Sequence, residues 1–204
     1  GHRLVTRNAI FIERFKDVGV MPADEALSWG WVGPCLRGSC VAYDVRKDHP
    51  YSGYEQYDFD VPVGTVGDCF DRYLVRMEEM RQSIRIIEQA LAKLPGGPVI
   101  TDDRKVALPP KSEVYSNIES LMNHFKLVYD GILPPPGEVY GYTEGANGEL
   151  GFYVVSDGGK HPWRVKVRPP CYNIYQAYPQ MIKGRMIADA VAIIGGLNVV
   201  AGEL

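Results

Sequence analysis

The hydrophobic pattern is strongest in residues 61–94, where apolar side chains recur in steps of three and four. This spacing predicts one long amphipathic helix, because positions three and four apart share a helix face. Thr65 and Asp68 have the spacing of an N-terminal capping pair, and Pro95 with Gly96 predicts the end. About 27 residues would form a rod roughly 40 Å long. The apolar seam comprises Phe70, Tyr73, Met77, Met80, Ile84, Ile87, Leu91 and Leu94.

The same helix has further apolar residues outside the seam, namely Leu74, Val75 and Ile86. An amphipathic surface helix needs only one apolar face, so these extra positions indicate burial on more than one side. We therefore expect a bundle helix with neighbours on several sides.

The rest of the chain has shorter patterns. Residues 30–62 are rich in Gly, Pro, Tyr and Asp, show little periodicity and are predicted to be irregular. Short β-branched and aromatic runs separated by Asn-Gly and Asp-Gly turns predict an antiparallel meander. The sequence thus predicts an α+β fold, mostly helical, with one long bundle helix and a small antiparallel sheet. The other predicted elements are helices at 3–17, from Pro22, at 112–129 and at 183–194, and strands at 138–143, 150–156 and 163–168.

The chain starts with Gly rather than Met and runs directly into patterned sequence. We therefore expect residues 1–204 to be a single fragment of a larger subunit. Its predicted segments are N-terminal helices with an irregular stretch at 3–62, a helical bundle at 63–130, a small β-meander at 137–170 and a C-terminal helical segment at 171–204.

Composition excludes several classes of protein. With 46% hydrophobic and 23% charged residues, 204 residues can bury one sizeable core or two small ones. The net charge of −3 gives no basic footprint for nucleic acid. The longest apolar stretch, 188–201, is interrupted by Asp189 and the Gly195-Gly196 pair, so we predict no membrane span. No secretory signal is expected.

The cysteines and histidines do not have the spacing of a metal site. Cys35 and Cys40 are separated by four residues, and Cys69 and Cys171 stand alone. An iron–sulfur cluster needs four thiolates, and Cys69 and Cys171 offer no paired spacing. The four histidines form no HExxH motif. We therefore expect incidental or buried thiols in a reducing compartment, without a metal or a bound cofactor in this chain.

Residues 62–89 carry the pattern PVGTxGDCxDRYLVRxEEMRQSxRIIEQ, which resembles the hydrogenase-like subunit of respiratory NADH:quinone oxidoreductase. That family includes the bacterial D subunit and the 49 kDa subunit of mitochondrial complex I. Residues 168–172 read RPPCY where the family more usually has RAPGF, and Asn147 stands where a basic residue is common. Further matching motifs follow in the family's order at 8–14, 33–39, 43–51, 119–126, 135–138, 148–158 and 186–195.

The resemblance implies both a fold and a role. It implies distant kinship with the large subunits of nickel–iron hydrogenases, whose Glu-x-x-x-Gly turn resembles residues 144–151. It also implies a peripheral subunit on the cytoplasmic face of the inner membrane, where the complex reduces quinone and pumps ions. Flavin and iron–sulfur clusters would belong to other subunits. The implied partners are quinone, the iron–sulfur B subunit, the C subunit and the membrane H subunit, and the family's quinone-headgroup His and Tyr lie outside this chain.

We predict no catalytic, cofactor-binding or metal-binding residue in the chain. Support of the quinone site or of an interface is assigned to Asp68, Arg72, Arg76, His124 and Arg168. Asp68 suits a helix N-terminus. The like-charged pair of Arg72 and Arg76, four residues apart, indicates acidic or cluster-facing partners from another subunit, with intramolecular pairing and solvent exposure as the alternatives. His124 is either a proton relay, an interface group or a partly buried histidine with a satisfied hydrogen bond.

Two other functions remain open at this point. One is the large subunit of a membrane-bound complex related to hydrogenases, and the other is a purely structural assembly module. Nickel content and the presence of two Cys-x-x-Cys pairs in the full-length protein would distinguish the first. Labelling by a quinone analogue would distinguish the second.

Overall fold

The computed structural model describes residues 2–204, with side chains from Leu4 onward. Turns of π-helix (His2–Thr6) and of 3-10 helix (Tyr54–Gln56 and Ala201–Glu203) accompany the longer elements. The strands are β1 (Gly137–Gly145), β2 (Gly148–Ser156) and β3 (Arg164–Arg168). The helices are α1 (Ala9–Phe15), α2 (Ala23–Ser28), α3 (Gly33–Gly38), α4 (Val45–Asp48), α5 (Cys69–Ala92), α6 (Lys111–Ser116), α7 (Ile118–Tyr129), α8 (Pro170–Gln176), α9 (Tyr178–Ile182) and α10 (Ile187–Leu197).

The long helix predicted from the seam is α5, which has 24 residues. Its N-cap is Asp68, whose side chain accepts a hydrogen bond from the Asp71 backbone N–H at 2.7 Å. The predicted start at Thr65 was therefore wrong by one turn. Thr65 instead lies in the preceding loop, where its own backbone N–H donates to Asp71.

Only the first half of α5 is packed as the prediction requires. This half contacts α1, α3 and α10, and buries Cys69, Arg72 and Val75. In the second half the seam is open to solvent: the seam residues from Met80 to Leu91 each expose more than half of their surface. The pattern correctly located the helix, but it did not determine how much of the apolar face this chain covers.

The region 30–62, predicted to be irregular, contains short helices. Pro34 occupies the first turn of α3, where a missing backbone N–H costs nothing. Asp44 caps α4 by accepting a hydrogen bond from the Arg46 backbone N–H at 2.9 Å. Helices of four to six residues are too short to give a periodic signal, so the pattern did not show them.

Two predicted helices are interrupted by capping residues. Asn8 begins α1 by accepting from the Ile10 backbone N–H at 2.9 Å, which ends the predicted 3–17 helix as a continuous element. Asn117 has an extended backbone and separates α6 from α7 within the predicted 112–129 helix. In both cases the asparagine side chain offers the backbone a local alternative to continuing the helix.

The sheet has the strand order β1-β2-β3, and the predicted antiparallel meander is confirmed. A two-residue turn, Ala146-Asn147, joins the first two strands, and Gly148 after it has φ +130°, which favours glycine. With helices over much of the chain and this one small sheet in the described residues, the α+β prediction is confirmed.

The C-terminal segment contains three helices where one was predicted at 183–194. Its last helix, α10, starts at Ile187, with Asp189 accepting from the Met186 backbone N–H at 3.1 Å. It continues through the Gly195-Gly196 pair that was expected to end it. The end is Asn198 instead, in the left-handed region at φ 56°.

The chain divides into two compact units. The first contains the residues up to Lys93, together with 142–151 and 168–204, and the second contains 94–141 and 152–167. In the second unit, Lys160 forms an ion pair with Asp130 at 2.5 Å. Among residues 2–204, no helix combines the length and the apolar character needed to cross a membrane. The core of the first unit is formed by Met21, Ala26, Trp31, Cys35, Leu36, Cys69, Ile174, Ala177, Met181, Ile193 and Leu197.

Candidate functional site

The loop before α5 is organised by two carboxylates. Asp71 accepts three backbone N–H groups through one oxygen, from Thr65 at 2.7 Å, Val66 at 2.5 Å and Gly67 at 3.2 Å. Burial acts to raise the pKa of Asp71, but these donors outweigh it and hold the pKa below its usual value. Asp68 caps the helix and also accepts from the Asp17 backbone N–H at 2.8 Å. The predicted capping role of Asp68 is present in the structure.

Arg72 is completely buried and bonds to the backbone of its own chain. Its guanidinium donates to the carbonyl oxygens of Gly67 at 2.9 Å and of Gly19 at 2.6 Å, and lies 3.2 Å from the Cys69 sulfur. It also lies 6.0 Å from the centre of the Trp31 ring. Arg72 therefore holds the chain segment around Gly19 against the start of α5.

Arg76 forms similar hydrogen bonds to backbone carbonyls at the C-terminal end of α10. It donates to the carbonyl oxygens of Gly196 at 2.7 Å and Leu197 at 3.1 Å, and lies 3.5 Å from the Cys35 sulfur. These carbonyls are at the C-terminal end of α10, where the helix carries partial negative charge and lacks internal donors. We call Arg72, Arg76 and the carbonyl groups to which they donate, those of Gly19, Gly67, Gly196 and Leu197, the arginine frame.

The arginine frame corresponds to one of the alternatives that the sequence left open. The like-charged pair indicated acidic or cluster-facing groups from another subunit, with intramolecular pairing and solvent exposure as the alternatives. In the structure both guanidinium groups are used inside the chain, and their partners are mainly backbone carbonyls. The Nε atoms of Arg72 and Arg76 are buried, and neither has a hydrogen-bond partner among the described residues.

An apolar recess of about 340 Å³ lies beside Arg76. Three aromatic rings meet there: the ring centre of Phe11 is 4.4 Å from that of Phe15 and 4.9 Å from that of Tyr73. The Tyr73 hydroxyl lies 2.8 Å from the Thr6 hydroxyl, so its polar end has a partner. The recess can accept an apolar or aromatic group, and its other lining residues are Cys69, Gly195, Gly196 and Asn198.

A buried cluster around Arg37 was not among the predicted site residues. The Arg37 guanidinium is 2.6 Å from Glu79, 3.0 Å from Glu144 and 3.7 Å from Asp44. Arg46 adds a second guanidinium, 2.6 Å from the Asp44 carboxylate. Three carboxylates and two guanidinium groups therefore share a mostly buried site that joins α3, α4, α5 and β1. These residues lie within the motifs that carry the family resemblance.

The pKa values of two carboxyl groups in this cluster are shifted in opposite directions, upward for Glu144 and downward for Asp44. Burial raises the pKa of Glu144 above its usual value, and the Arg37 guanidinium only partly offsets this effect. Burial also acts to raise the pKa of Asp44, but the hydrogen bonds and charges of Arg46 and Arg37 prevail and lower it. The cluster thus favours an ionised Asp44 and holds the Glu144 proton more tightly.

Arg168 supports the end of β3. Its guanidinium donates to the carbonyl oxygens of Glu149 at 2.9 Å and Gly30 at 3.2 Å, and lies 3.8 Å from the Glu149 carboxylate. The Gly30 carbonyl also accepts from the Asn173 amide at 3.4 Å. Arg168 therefore acts as a bracket between the sheet and the loop after α2.

The two sites where the chain departs from the family resemblance contact one another. The Asn147 amide donates to the Cys171 sulfur at 3.4 Å and accepts from the Asn198 amide at 2.8 Å. The Val200 backbone N–H also donates to Cys171, at 3.4 Å. Burial, assisted by Glu203, raises the pKa of Cys171 to about 11. This thiol therefore acts as a neutral packing group rather than as a nucleophile.

His124, the fifth predicted residue, lies on α7 and belongs to the second unit. Its side chain is half-buried, and its ring stands edge-on to Phe125 with 6.3 Å between the ring centres. The structure therefore brings Asp68, Arg72 and Arg76 together at the start of α5 and places Arg168 elsewhere in the first unit.

The four thiols of the chain are free, with Cys40 exposed and the other three buried. The pKa of the Cys69 thiol is raised, mainly because the thiol is buried. Within residues 2–204, no group of three or more His, Cys, Asp or Glu side chains is arranged to hold a metal ion.

Comparison with known proteins identifies the family. The sequence model described as "Respiratory-chain NADH dehydrogenase, 49 Kd subunit" matches residues 1–204. The chain is 57% identical over 201 residues to the NADH-quinone oxidoreductase C/D subunit of Bdellovibrio bacteriovorus, which covers 98% of this chain and 36% of that protein. It is 52% identical over 201 residues to the D subunit of the Myxococcus xanthus enzyme, covering 98% of this chain and 48% of that protein. It is 55% identical over 201 residues to the D subunit of Leptospira biflexa, and this match covers 98% of this chain and 50% of that protein.

The chain thus spans half the length or less of these three relatives. The family match nevertheless extends along all of it, and the identity exceeds half in each comparison. This chain belongs to the family of the 49 kDa subunit of respiratory-chain NADH dehydrogenase.

Proposed function

We propose that this chain is part of the D subunit of a proton-translocating NADH:quinone oxidoreductase, where it helps to form the quinone-reduction site. The observation that carries the proposal is the family match along residues 1–204. The 57% identity to a protein named as the C/D subunit of this enzyme supports it. The site would lie where the peripheral and membrane arms of the complex meet.

In this proposal the chain supplies scaffold and part of the wall of the quinone site. Asp68, Arg72 and Arg76 set the position of α5 through the capped loop and the arginine frame. The recess beside Arg76 presents aromatic rings, which suit an apolar ring or chain. Arg168 supports the neighbouring loop, and His124 is assigned to an interface. The chain itself contributes no redox group.

The remaining parts of the reaction are assigned to the assembled complex. Quinone is bound by the complex, and electrons reach it from NADH through flavin and iron–sulfur clusters in partner subunits. The proposed protein partners are the iron–sulfur B subunit, the C subunit and the membrane H subunit. The chain would lie peripherally on the cytoplasmic face of the inner membrane. A net charge of −3 fits the absence of nucleic acid among these partners.

Photolabelling with a quinone analogue tests the proposal in the intact complex. We expect label on this subunit, and we expect excess quinone to compete it away. Mass spectrometry would then locate the labelled peptide. Label absent from this subunit, with other subunits labelled, would favour a purely structural module instead. One observation already fits that alternative, because Arg72 and Arg76 donate hydrogen bonds to carbonyl oxygens of the chain itself.

Metal analysis of the same complex tests the relation to hydrogenases. We expect iron from the partner subunits and no stoichiometric nickel. Nickel bound in proportion to this subunit would overturn the proposal and indicate a hydrogenase-related complex. The proposed kinship of the fold with nickel–iron hydrogenase large subunits is a separate matter, which a structural superposition would test.

A further inference from the structure

The buried cluster around Arg37 contains more negative than positive groups. We call its members, Arg37, Asp44, Arg46, Glu79 and Glu144, the Arg37 cluster. Its three carboxylates face two guanidinium groups, and the side chains of Arg37, Asp44 and Glu144 are 2%, 1% and 4% exposed. An unbalanced charge is costly to bury, so a titratable group in such a place becomes neutral instead. The charge count therefore indicates a bound proton.

The charged groups beside the Arg37 cluster have partners of their own. Glu149, on β2, is a further acid, and its carboxylate lies 3.8 Å from the Arg168 guanidinium. Lys47 and Asp48 are exposed neighbours of opposite charge on α4, and the Lys47 ammonium lies 4.9 Å from the centre of the Phe59 ring. These groups leave the excess negative charge of the cluster in place.

The other titratable groups at the cluster are phenols and one histidine. The pKa values of Tyr43 and Tyr51 are raised, mainly by burial, so both phenols stay neutral. His49 is exposed, and its ring stands edge-on to that of Tyr142 with 6.1 Å between the ring centres. Water screens a charge at an exposed position, so a carboxyl group of the cluster is the better carrier of the proton.

The contacts within the cluster indicate which carboxyl group carries the proton. Asp44 accepts from the Arg46 backbone N–H at 2.9 Å and from its guanidinium at 2.9 and 2.6 Å. Glu79 accepts from Arg37 Nε at 2.6 Å, and its side chain is 17% exposed, so water can help to solvate it. Glu144 accepts from Arg37 Nη2 at 3.0 Å and is nearly out of reach of water. Burial is also the largest cause of its raised pKa.

Glu144 is placed where its charge affects the packing of a turn. Its backbone N–H donates to the Tyr51 hydroxyl at 2.9 Å, close to the turn between β1 and β2. At the other end of this turn the backbone of Gly148 lies directly on Gly33, the first residue of α3, where a Cβ would be 2.4 Å from the Gly148 Cα. Water can therefore surround an ionised Glu144 only if the turn moves away from α3.

We propose that the Arg37 cluster binds one exchangeable proton on the Glu144 carboxyl group, and that this proton keeps the turn of residues 144–148 packed on α3. With the proton bound, two carboxylates balance two guanidinium groups. As pH rises, the proton passes from Glu144 to water, and the turn loosens to hydrate the carboxylate. The proposal does not rest on the role in quinone reduction, so each can fail without the other.

Infrared difference spectroscopy of the intact complex tests the proton. A protonated carboxylic acid has a carbonyl-stretch band that an ionised carboxylate lacks, and glutamate labelled with ¹³C separates this band from those of aspartic acids. Wild type minus Glu144→Gln should contain one such band, which persists to higher pH than the band in wild type minus Glu55→Gln. Glu55 is the matched control because it is exposed. A missing Glu144 band, or one that titrates together with that of Glu55, would overturn the proposal.

A second variant tests the charge balance of the cluster. Asp44→Asn removes one negative charge and keeps an oxygen that can cap α4. The charge of Asp44 raises the pKa of Glu144, whereas Arg46 lowers it. We therefore expect the Glu144 band to titrate at lower pH in Asp44→Asn than in wild type. An unchanged titration would mean that the cluster does not share its charge, and would contradict the proposal.

Hydrogen exchange of residues 142–151 tests the turn, and its wild-type arm needs no variant to assemble. Rates are divided by those of an unstructured peptide at the same pH, which leaves the protection by structure. In the wild-type complex, protection should fall over the pH range in which the Glu144 band disappears. In Glu144→Gln it should stay high, because glutamine resembles the protonated acid. Constant protection in wild type, or a parallel loss in Glu144→Gln, would show that the proton does not hold the turn.

Discussion

The Arg76 guanidinium donates to the Gly196 carbonyl oxygen at 2.7 Å and thereby ties the first half of α5 to the C-terminal end of α10. The last carbonyls of a helix have no donor within the helix. A cationic side chain at this position can donate hydrogen bonds to them, and its charge interacts favourably with the negative end of the helix dipole. Because the Leu197 carbonyl is bound as well, at 3.1 Å, one side chain serves two of these groups.

Replacing Arg76 with Met should destabilise the chain. Each buried carbonyl left without a donor costs about 1–3 kcal/mol. Arg76→Lys should lose less, because an ammonium can still reach one carbonyl. Urea unfolding followed by circular dichroism would measure the difference. Arg81→Gln, at an exposed position on the same helix, is the control and should change little; equal losses in Arg76→Met and Arg81→Gln would contradict the role of the arginine frame.

Replacing Asp71 with Asn should destabilise the chain at neutral pH, by about 1.5–3 kcal/mol for weakened hydrogen bonds to a charged group. The folded-state pKa of Asp71 is lowered, so its contribution is present above the unfolded pKa of 3.8 and is lost as pH falls through the folded value. The difference between wild type and Asp71→Asn should therefore shrink in acid. Unfolding free energies measured across pH check this, with exposed Asp102→Asn as the control. A constant difference down to the lowest pH would be inconsistent with a lowered pKa.

The opposite pH dependence is expected for Glu144. Its folded-state pKa is raised, so its contribution is complete below the unfolded value of 4.5 and is lost as pH rises through the folded pKa. Relative to Glu144→Gln, the wild-type chain should become less stable over that range. Unfolding free energies at several pH values provide the test. For the control variant Glu13→Gln, at an exposed position, the plot of unfolding free energy against pH should run parallel to that of wild type. A parallel plot for Glu144→Gln as well would refute the expectation.

Gly33→Ala should be strongly destabilising. Gly33 has φ +64°, and a Cβ placed there would lie 2.4 Å from the Gly148 Cα and 2.6 Å from the Asn147 carbonyl oxygen. The left-handed backbone alone costs a non-glycine residue about 1–2 kcal/mol. Gly96→Ala is the matched control, because nothing lies within 4 Å of its Cβ position. Thermal unfolding should show a lowered midpoint for Gly33→Ala only.

Thiol labelling should select Cys40. It is the exposed cysteine, whereas Cys35, Cys69 and Cys171 are buried. The thiolate is the reactive form, and a pKa of about 11 keeps Cys171 protonated at neutral pH. We expect a maleimide to react rapidly with Cys40 in the folded chain and with every cysteine in urea. Peptide mapping would show this, and rapid native labelling of Cys171 would contradict the structure.

The parts of the fold that the sequence predicts are those fixed by local patterns. The seam located α5, and Gly-containing turns between β-branched runs located the sheet, because period and turn chemistry are properties of neighbouring residues. The interruption at Asn117 was missed because an asparagine within an apolar pattern is compatible with both a helix and a cap.

The site depends on contacts that no local pattern contains. Arg76 and Gly196 are 120 positions apart, and Arg37 and Glu144 are 107 apart. Spacing within α5 indicated that Arg72 and Arg76 could have charged partners, but it could not show that their partners are mainly backbone carbonyls of the same chain. The exposure of Ile84 and Ile87 could not be predicted for the same reason. The pattern shows that one face of the helix is apolar, but it carries no information on what covers that face.

The arginine frame also affects how the sequence can change. A guanidinium that binds another side chain constrains the identity of both residues, but Arg72 and Arg76 bind main-chain oxygens, which every amino acid provides. Replacements at Leu197 that keep the end of α10 in place preserve the hydrogen bond to its carbonyl. Substitutions at position 197 are therefore expected to occur independently of position 76, so an alignment of relatives should show no covariation between the two.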